Sequence, residues 1–443
     1  MKVATALAFV LLAAFAPESL TGASVTQLPA ALAPATVEVP SSLKRTPFNQ
    51  SRVLLVPAGF KISVVARIAR ARFIMPLAAG GFLVAQPSNG RILVVRPGSS
   101  GMTSVSTLID GLRNPQGMAL HSAGEKLYLY VGESNQISRF EIGRDGASAG
   151  DRRVVVPDLP DSSSPELHGY YGHELKNVVI GPDNKLYVDI ASSTNADPKD
   201  TLSNPVRSAI YRYDLDGRNG RIFARGIRNA EGLGFVPGTT ELWAAVNELD
   251  DIRYPFRNSW QGSGSVDYGK KIPSYVDDHP PDELIHVKEG ANYGWPFADP
   301  NPDTPNGLDN MPFAPNYETN RDWSSYPDRM FTRIDKGIPA HSAPLGMAFL
   351  QDSKIPEPFR NGIAIALHGS WDRSRKTGYK VIFFPWQGGR PGRQFDLVTG
   401  WLDDESQRQW GRPVDVKPAN DGSLLISDDY SGTIYRLAPA SSR

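Results

Sequence analysis

Residues 412–437 read RPVDVKPANDGSLLISDDYSGTIYRL, and this stretch shows the pattern that decides the fold. Short runs rich in Val, Ile, Leu and Tyr, namely VDV, LLIS and TIYRL, are separated by PANDG and DDYSG. Apolar runs of about four to eight residues with turn residues between them predict β-strands joined by tight turns. The stretch therefore predicts three antiparallel strands.

The same phrase recurs along most of the chain. Its copies are residues 80–98, 116–142, 177–192 with 208–217, 231–248 with 282–290, 344–350 with 361–370 and 379–386, and 412–437. Self-similar units of tens of residues, each with several short strands, predict a propeller. We therefore predict an all-β fold, a six-bladed β-propeller with long loops over one face. Residues 51–67 are expected to add a strand that closes the ring. A β-sandwich or a multi-domain all-β protein is the alternative.

The composition narrows the classes of function. Lysine plus arginine and aspartate plus glutamate both number 47, and no basic run stands out, so nucleic acid is not expected as a partner. With no cysteine, disulfides, thiol catalysis and iron–sulfur clusters are excluded. The 41 glycines and 37 prolines fit many turns between short strands.

The N-terminal residues predict export. Lys2 is followed by an apolar run that is too short for a comfortable membrane span, and small residues follow near Ala23. We expect a signal peptide at 1–23, a linker or N-terminal extension at 24–50, and one propeller domain at 51–443. The mature protein is expected to be periplasmic or secreted, with no stable membrane span. An uncleaved N-terminal anchor is the alternative.

Three long insertions interrupt the repeats, at about 157–171, 250–281 and 296–336. They are rich in Pro, Asp, Asn and Gly and are read as loops. Long loops in a compact domain tend to be functional or disordered, and in a propeller we expect them to gather over one mouth of the central channel.

Few residues offer recognisable chemistry. There are seven histidines, of which His173, His341 and His368 stand at predicted strand–loop junctions. Each could be catalytic or merely structural. No G-x-S-x-G, H-E-x-x-H, Walker or G-x-G-x-x-G motif occurs, so nicotinamide and metalloprotease chemistry lack their usual carriers.

Charged clusters leave two interpretations open. The acidic groups in NELDD (247–251), PPDELIHV (280–287) and FADPNPD (297–303) could supply the oxygen ligands that calcium takes, or could be solvated turns. Arg228, Arg373 and Arg412 could converge on a carboxylate-bearing ligand, because a guanidinium pairs bidentately with carboxylate, or could be ordinary surface residues.

Several phrases together resemble a known family. HELKNVVIGPDNKLYV, RNAEGLGF, PDELIHVKEGANYGWP, HSAPLGM, GSWDR, WGRPVDV and SDDYSGTIYRL resemble the soluble quinone-dependent sugar dehydrogenases, the glucose/sorbosone dehydrogenase family. The resemblance runs in order from about residue 50 to residue 437. It implies a six-bladed propeller that binds pyrroloquinoline quinone over the channel mouth and uses calcium.

The resemblance also implies roles for particular residues. His173 would be the general base that takes the proton of the substrate hydroxyl while hydride passes to the quinone, and imidazole suits this role near neutral pH. The residues implied to bind the quinone are Gln116, Arg228, Asn229, His341, Arg373 and Arg412. The residues implied at the calcium sites are Glu248, Leu249, Glu283, Tyr293, Asp299 and Asp303. A small sugar and an external electron acceptor are the implied partners.

Two departures from the family's pattern bear on the substrate. Gly172 stands where glucose-oxidising members have an acidic residue, and NELDD is followed by a long insertion. We therefore expect a sorbosone-type or aldose-type sugar. The alternatives are a calcium-dependent hydrolase of the lactonase type and a propeller that binds carbohydrate or a partner without catalysis.

Overall fold

The computed structural model describes residues 31–98 and 103–440. The predicted signal peptide lies outside the described residues. The strands are, in chain order, β1 (Leu32–Thr36), β2 (Val53–Pro57), β3 (Phe60–Arg67), β4 (Ile74–Pro76), β5 (Phe82–Gln86), β6 (Arg91–Pro97), β7 (Thr103–Ile109), β8 (Met118–Ala123), β9 (Lys126–Glu133), β10 (Gln136–Ile142), β11 (Arg153–Val156), β12 (Val178–Ile180), β13 (Lys185–Ile190), β14 (Ala209–Asp214), β15 (Arg221–Arg225), β16 (Ala230–Phe235), β17 (Leu242–Val246), β18 (Asp282–Val287), β19 (Ala298–Pro300), β20 (Asp309–Met311), β21 (Phe313–Pro315), β22 (Ile334–Ile338), β23 (Pro344–Phe349), β24 (Gly362–Leu367), β25 (Lys380–Gln387), β26 (Arg390–Pro391), β27 (Phe395–Val398), β28 (Leu402–Asp403), β29 (Arg408–Gln409), β30 (Pro413–Pro418), β31 (Leu424–Asp428) and β32 (Thr433–Pro439).

Helical structure in the described residues is confined to short pieces. One α-helical turn, α1, spans Pro273–Val276. The 3₁₀ turns are Ser41–Leu43, Pro87–Asn89, Pro165–Leu167, Pro198–Leu202, Trp260–Gly262, Arg321–Trp323 and Asp328–Met330.

Six antiparallel sheets form the blades of a propeller. Blade one is β4–β7, blade two β8–β11, blade three β12–β15, blade four β16–β17–β18–β22–β20, blade five β23–β24–β25 with β26 and β27, and blade six β30–β31–β32–β3. The predicted fold is confirmed. The outer strand of blade six is β3, which pairs along β32 from Phe60↔Pro439 to Arg67↔Thr433, so residues 51–67 do contribute the strand that closes the ring.

Apolar side chains fill the spaces between neighbouring blades. For example, Tyr130 and Ile137 of blade two pack with Leu186, Val188 and Tyr211 of blade three. β24 reads GIAIAL and is buried along its whole length, because it has a neighbouring blade on each face. Burial on both faces explains why the middle strands read as continuous apolar runs.

A narrow cavity lies on the propeller axis. Its volume is about 230 Å³, and its lining includes Met75, Met118, Val179, Leu233, Met347 and Lys417. These residues come from β4, β8, β12, β16, β23 and β30, so the first strand of every blade faces the axis. Because neighbouring strands are antiparallel, each first strand begins at the end of the axis where the second strand of its blade finishes. We call this end the mouth.

The insertion at 250–281 is ordered and packs on blade four. Leu249, Ile252, Tyr254 and Tyr275 form a small buried cluster with Trp295 of the following segment. His279 Nε2 lies 3.2 Å from Asp303 Oδ2, which joins this insertion to the one at 296–336. The insertions at 250–281 and 296–336, which the sequence predicts as loops, therefore form one packed lobe.

The described part of the predicted linker is also ordered. β1 pairs with β2 along its whole length, and Val37 and Phe48 are buried in the core between blades five and six. Among the described residues, no helix is long and apolar enough to cross a membrane.

Candidate active site

The mouth carries the polar residues that stand just before a first strand or just after a second strand. His173 precedes β12, Arg228 and Asn229 precede β16, and Arg412 precedes β30. His368 follows β24. The alternation of strand and turn therefore brings side chains that are far apart in the sequence to one end of the axis.

His173 is held with one ring nitrogen fixed and the other open. Its Nδ1 lies 3.0 Å from the backbone oxygen of Ser192 and 2.8 Å from the Ser192 hydroxyl. A carbonyl oxygen can only accept, so Nδ1 carries the proton and Nε2 carries the lone pair. Nε2 makes no hydrogen bond with any described residue. Burial, followed by the positive charge of Arg228, lowers the pKa of His173 to about 3, so the ring is neutral near pH 7.

The backbone around His173 is anchored to blade three. Tyr171 donates its hydroxyl to Ala191 O at 2.6 Å, and Gly172 N donates to Ser193 O at 2.7 Å. A Cβ at Gly172 would stand 3.1 Å from the Tyr170 hydroxyl and 3.2 Å from Ser193 O. The position therefore takes a larger side chain only if Tyr170 moves.

Arg228 is buried at the mouth, with 4% of its side chain exposed. It donates from Nε to Asn195 O at 3.2 Å, from Nη2 to Asn195 Oδ1 at 2.9 Å and from Nη1 to Asn247 O at 3.3 Å. Its Nη2 is also 3.4 Å from Asp250 Oδ2. These contacts fix the guanidinium plane, so its charge is held in one place.

A hydrogen-bonded chain crosses the mouth from Arg72 to Asn177. Arg72 Nε donates to Gln116 Oε1 at 2.7 Å, and Gln116 Nε2 donates to Glu231 Oε2 at 2.6 Å. Asn177 Nδ2 donates to the same Glu231 oxygen at 3.1 Å, and Asn229 Nδ2 is 3.5 Å from Glu231 Oε1. Gln116, predicted to bind the quinone, lies at the mouth, and its side-chain amide is hydrogen-bonded to Arg72 and Glu231.

His368 of blade five and Arg412 of blade six lie next to each other at the mouth. His368 Nε2 is 2.8 Å from Asp429 Oδ1, and Arg72 Nη1 is 3.1 Å from Asp429 Oδ2. Arg412 donates from Nε to His368 O at 2.9 Å and from Nη2 to Gly369 O at 3.0 Å. Among the described residues, Arg72 Nη2 and Arg412 Nη1 have no hydrogen-bond partner, so both can meet an anion at the mouth.

Asp250, His341 and Asp372 could hold a cation. Their ligand-type atoms lie within 4.8 Å of one another. His341 Nε2 donates to Val276 O at 2.7 Å, which turns Nδ1 toward Asp250 Oδ1 at 3.4 Å. Burial opposes protonation of His341, but Asp250 and Asp282 outweigh it and the pKa of His341 is raised. His341 also has a φ of 58°, in the left-handed region that a non-glycine residue rarely adopts.

Backbone carbonyls stand beside this cluster. Among the described residues, the carbonyl oxygens of Glu248 and Leu249 accept no hydrogen bond. Asp282 supports the arrangement, because it accepts from Glu248 N at 3.0 Å and from Ser342 N at 2.7 Å. One buried carboxylate thus ties the Glu248 loop to the His341 loop.

The other predicted metal ligands are mostly buried acids, and the negative charges of Glu248, Asp282 and Glu283 act on one another, as does that of Asp299 on Glu248. Among the described residues, Glu248 Oε2 and both Glu283 carboxylate oxygens are buried with no hydrogen-bond partner, and burial raises the pKa of each carboxyl. Burial also raises the pKa of Asp299 to about 7, where Asn316 is its donor. Asp303 lies apart from these buried acids in its contacts, with its Oδ2 3.2 Å from His279 Nε2.

Tyr293 and Arg373, two further predicted site residues, donate hydrogen bonds to backbone oxygens. The Tyr293 hydroxyl donates to His286 O at 2.5 Å, inside the core of blade four. Arg373 donates from Nη1 to the backbone oxygens of Asp277 and Ala340, so it ties the inserted lobe to the His341 loop.

The sequence did not single out Arg72, Asp429, Glu231 or Ser192. Their shared signal is position. Arg72 and Glu231 stand where a first strand begins, and Asp429 and Ser192 just after a second strand ends. Reading those two positions in every blade would have found them.

Comparisons with known proteins agree with this fold. A curated pyrroloquinoline quinone-dependent pyranose dehydrogenase of Coprinopsis cinerea is 22% identical over 417 residues, which cover 86% of this chain and 54% of that protein. The chain thus spans about half the length of that relative. An uncharacterized protein of Borreliella burgdorferi is 26% identical over 396 residues, covering 87% of this chain and 90% of that protein.

Solved structures show the same architecture. The holo form of the pyranose dehydrogenase PQQ domain from Coprinopsis cinerea superposes with a TM-score of 0.71 at 20% identity, covering 87% of this chain and 97% of that domain. The calcium structure of Trichoderma reesei Carbohydrate-Active Enzymes Family AA12 gives a TM-score of 0.69 at 20% identity, with 87% and 97% covered. The resemblance drawn from the sequence is confirmed. A family model described as TrAA12-like matches residues 54–440, and the chain therefore belongs to the TrAA12-like family.

Proposed function

We propose that this protein is a quinoprotein oxidoreductase that oxidises a sugar with pyrroloquinoline quinone bound over the mouth. The observation that carries the proposal is His173. Its Nδ1–H is hydrogen-bonded to Ser192, its Nε2 has no hydrogen-bond partner among the described residues, and its ring is neutral near pH 7. The names of the fungal relatives, one a quinone-dependent pyranose dehydrogenase, support the same chemistry.

The residues at the mouth fit an anionic quinone. The unpartnered nitrogens Arg72 Nη2 and Arg412 Nη1 can pair with carboxylates, and Arg228 adds a third fixed positive charge. A guanidinium binds carboxylate with charge-assisted hydrogen bonds that are about twice as strong as neutral ones. When bound, the quinone supplies the two-electron acceptor that takes hydride from the substrate carbon.

A calcium ion fits beside Arg228. The carboxylates of Asp250 and Asp372 and the unused carbonyls of Glu248 and Leu249 are the kinds of oxygen that calcium takes. Such an ion would polarise an adjacent carbonyl oxygen as a Lewis acid. The Trichoderma relative has a calcium structure, which supports this assignment.

Within this site, His173 takes the hydroxyl proton of the substrate at Nε2. Ser192 orients the ring and is neutral, so it adds no charge that would raise the basicity of the ring. Burial and Arg228 keep the imidazole unprotonated over the physiological range, which keeps the lone pair available.

The proposed substrate is an aldose or a sorbosone-type sugar. Gly172 places no acidic group beside His173, unlike the residue expected in a glucose-oxidising member. An external electron acceptor is needed to reoxidise the quinone. We also propose that the mature protein works in the periplasm or outside the cell, after cleavage near Ala23. N-terminal sequencing of the exported protein tests the cleavage.

A binding and turnover experiment tests the function. Purified protein is titrated with pyrroloquinoline quinone and calcium while the quinone absorbance is followed, and dye-linked oxidation is screened over aldoses and sorbosone. We expect saturable binding and oxidation of at least one sugar. Absence of binding at about micromolar quinone would exclude the proposal, and hydrolysis of a lactone without quinone would favour the lactonase alternative.

A further inference from the structure

A second histidine at the mouth has the geometry of a proton acceptor. His368 Nε2 is 2.8 Å from Asp429 Oδ1, and the pKa of Asp429 is about 2, because hydrogen bonding from His368 and the charges around it outweigh burial. Asp429 is therefore ionised and accepts the Nε2 proton. This fixes the tautomer and leaves the lone pair on Nδ1, which makes no hydrogen bond with any described residue.

The dyad is fixed in place by its neighbours. Arg72 donates to the second Asp429 oxygen at 3.1 Å, and Arg412 donates to the His368 carbonyl at 2.9 Å. His368 N donates to Ala343 O at 2.9 Å. These contacts fix the His368 backbone and the Asp429 carboxylate, and the ring cannot turn without breaking its hydrogen bond to Asp429.

The dyad can exchange protons with solvent. The side chains of His368 and Asp429 are 15% and 19% exposed, so they form part of the mouth wall and are not sealed in the core. Burial, opposed by Asp429 and supported by Arg412 and Arg72, lowers the pKa of His368 from its usual value. The ring is therefore neutral before it takes a proton.

Sugar oxidation leaves two protons to be removed. When a carbinol becomes a carbonyl, its O–H and C–H bonds break, two electrons pass to the quinone and then to an external acceptor, and two protons remain. His173 has one open nitrogen and can take only the hydroxyl proton. The second proton needs another acceptor at the mouth.

We propose that His368, oriented by Asp429, takes this second proton at Nδ1 and releases it to solvent while the external acceptor is reduced. The inference rests on the proposed function. It makes Asp429 a positioning residue and His368 the group that carries the proton.

The first test needs no cofactor. The tautomer and pKa of His368 are measured by ¹⁵N NMR in the cofactor-free protein and in Asp429→Asn, which keeps the size of the side chain and removes its charge. We expect wild type to hold the proton on Nε2, and the variant to show a mixed tautomer and a lower pKa. An unchanged tautomer and pKa in Asp429→Asn would overturn the dyad.

The second test separates the two half-reactions in the quinone-loaded protein. In His368→Gln we expect sugar-driven quinone reduction to stay within about threefold of wild type, and acceptor-driven reoxidation to fall about 100-fold. Unslowed reoxidation, or equal slowing of both, would overturn the inference. If His368→Gln does not fold, His368→Asn is carried through the same two measurements, and the same outcomes support or overturn the inference.

Failure of the proposed function and failure of the role of His368 give different results. Absence of quinone binding to wild type contradicts the proposed function. Normal binding and normal reduction with unslowed reoxidation contradict only the role of His368.

Discussion

A substitution at Ser192 would replace the neutral hydrogen-bond partner of His173 by a charged one. Ser192 is fully buried, and its hydroxyl lies 2.8 Å from His173 Nδ1. Ser192→Asp would place a carboxylate in contact with that nitrogen, and Ser192→Asn is the matched control with the same volume and no charge.

The size of the effect follows from this geometry. A unit charge at about 3 Å in an effective dielectric of about 20 contributes at most about 5 kcal/mol, and burying the new carboxylate offsets part of it. A close opposite charge moves a pKa by about one to three pH units in practice. We therefore expect the pKa of His173 to rise by that amount from its value of about 3 in Ser192→Asp and to change little in Ser192→Asn.

The assay is a pH titration of labelled histidine by NMR in the cofactor-free protein. The His173 signal is assigned by its absence from His173→Gln. In the loaded protein, the acid limb of the pH–rate profile should move to higher pH only in Ser192→Asp, because the base is active when neutral. Equal His173 pKa values in the two variants would refute the claim that the side chain at position 192 contacts this ring.

Three further predictions concern the cofactor, the cation and the fold. Arg412→Gln should weaken quinone binding about 10- to 100-fold in an absorbance titration, because a charged hydrogen bond contributes about 1.5–3 kcal/mol; unchanged affinity would place the quinone elsewhere. Asp250→Asn should weaken calcium binding at least about tenfold by calorimetry and lower the pKa of His341, because Asp250 raises it; unchanged calcium affinity would exclude Asp250 as a ligand. Gly217→Ala should lose at least about 1–2 kcal/mol in urea unfolding, because Gly217 has a φ of 86° and a Cβ there would stand 1.6 Å from Val155 O; an unchanged midpoint would contradict this turn geometry.

The architecture was readable from the sequence because each blade repeats a local pattern. Period-two strands with turns such as PANDG depend on neighbouring residues alone, and even the closing strand could be inferred from residues 51–67. β1 could not, because LAPAT carries no clear strand pattern and is ordered only by pairing with β2. The lobe at 250–281 was also hidden, since its packing around Tyr275 and Trp295 joins segments that are separate in the sequence.

The site was readable only in part. His173, Arg228 and Arg412 stand at the mouth, as the resemblance implied. Their partners could not be found by local reading, because Arg72 and Asp429 are separated by almost the whole propeller and meet only when the ring closes.

Local reading also could not show how the predicted metal ligands would be distributed in the fold. Glu283, Asp299 and Asp303 lie close in the sequence, but strand direction and the packed lobe send Asp303 to His279 and bury the other two. His341 and Asp372, which form a further possible cation cluster with Asp250, come from the neighbouring blade.

A single-turnover experiment with two histidine variants tests most directly whether His173 is the catalytic base. Protein loaded with pyrroloquinoline quinone and calcium is mixed with an oxidisable sugar, and quinone reduction is followed in wild type, His173→Gln and His121→Gln, since His121 lies on β8 away from the mouth. We predict that all three bind the quinone, that His121→Gln reduces it at the wild-type rate, and that His173→Gln is slower by about 10²- to 10⁴-fold. Reduction by His173→Gln at the wild-type rate would contradict the assignment of His173 as the base.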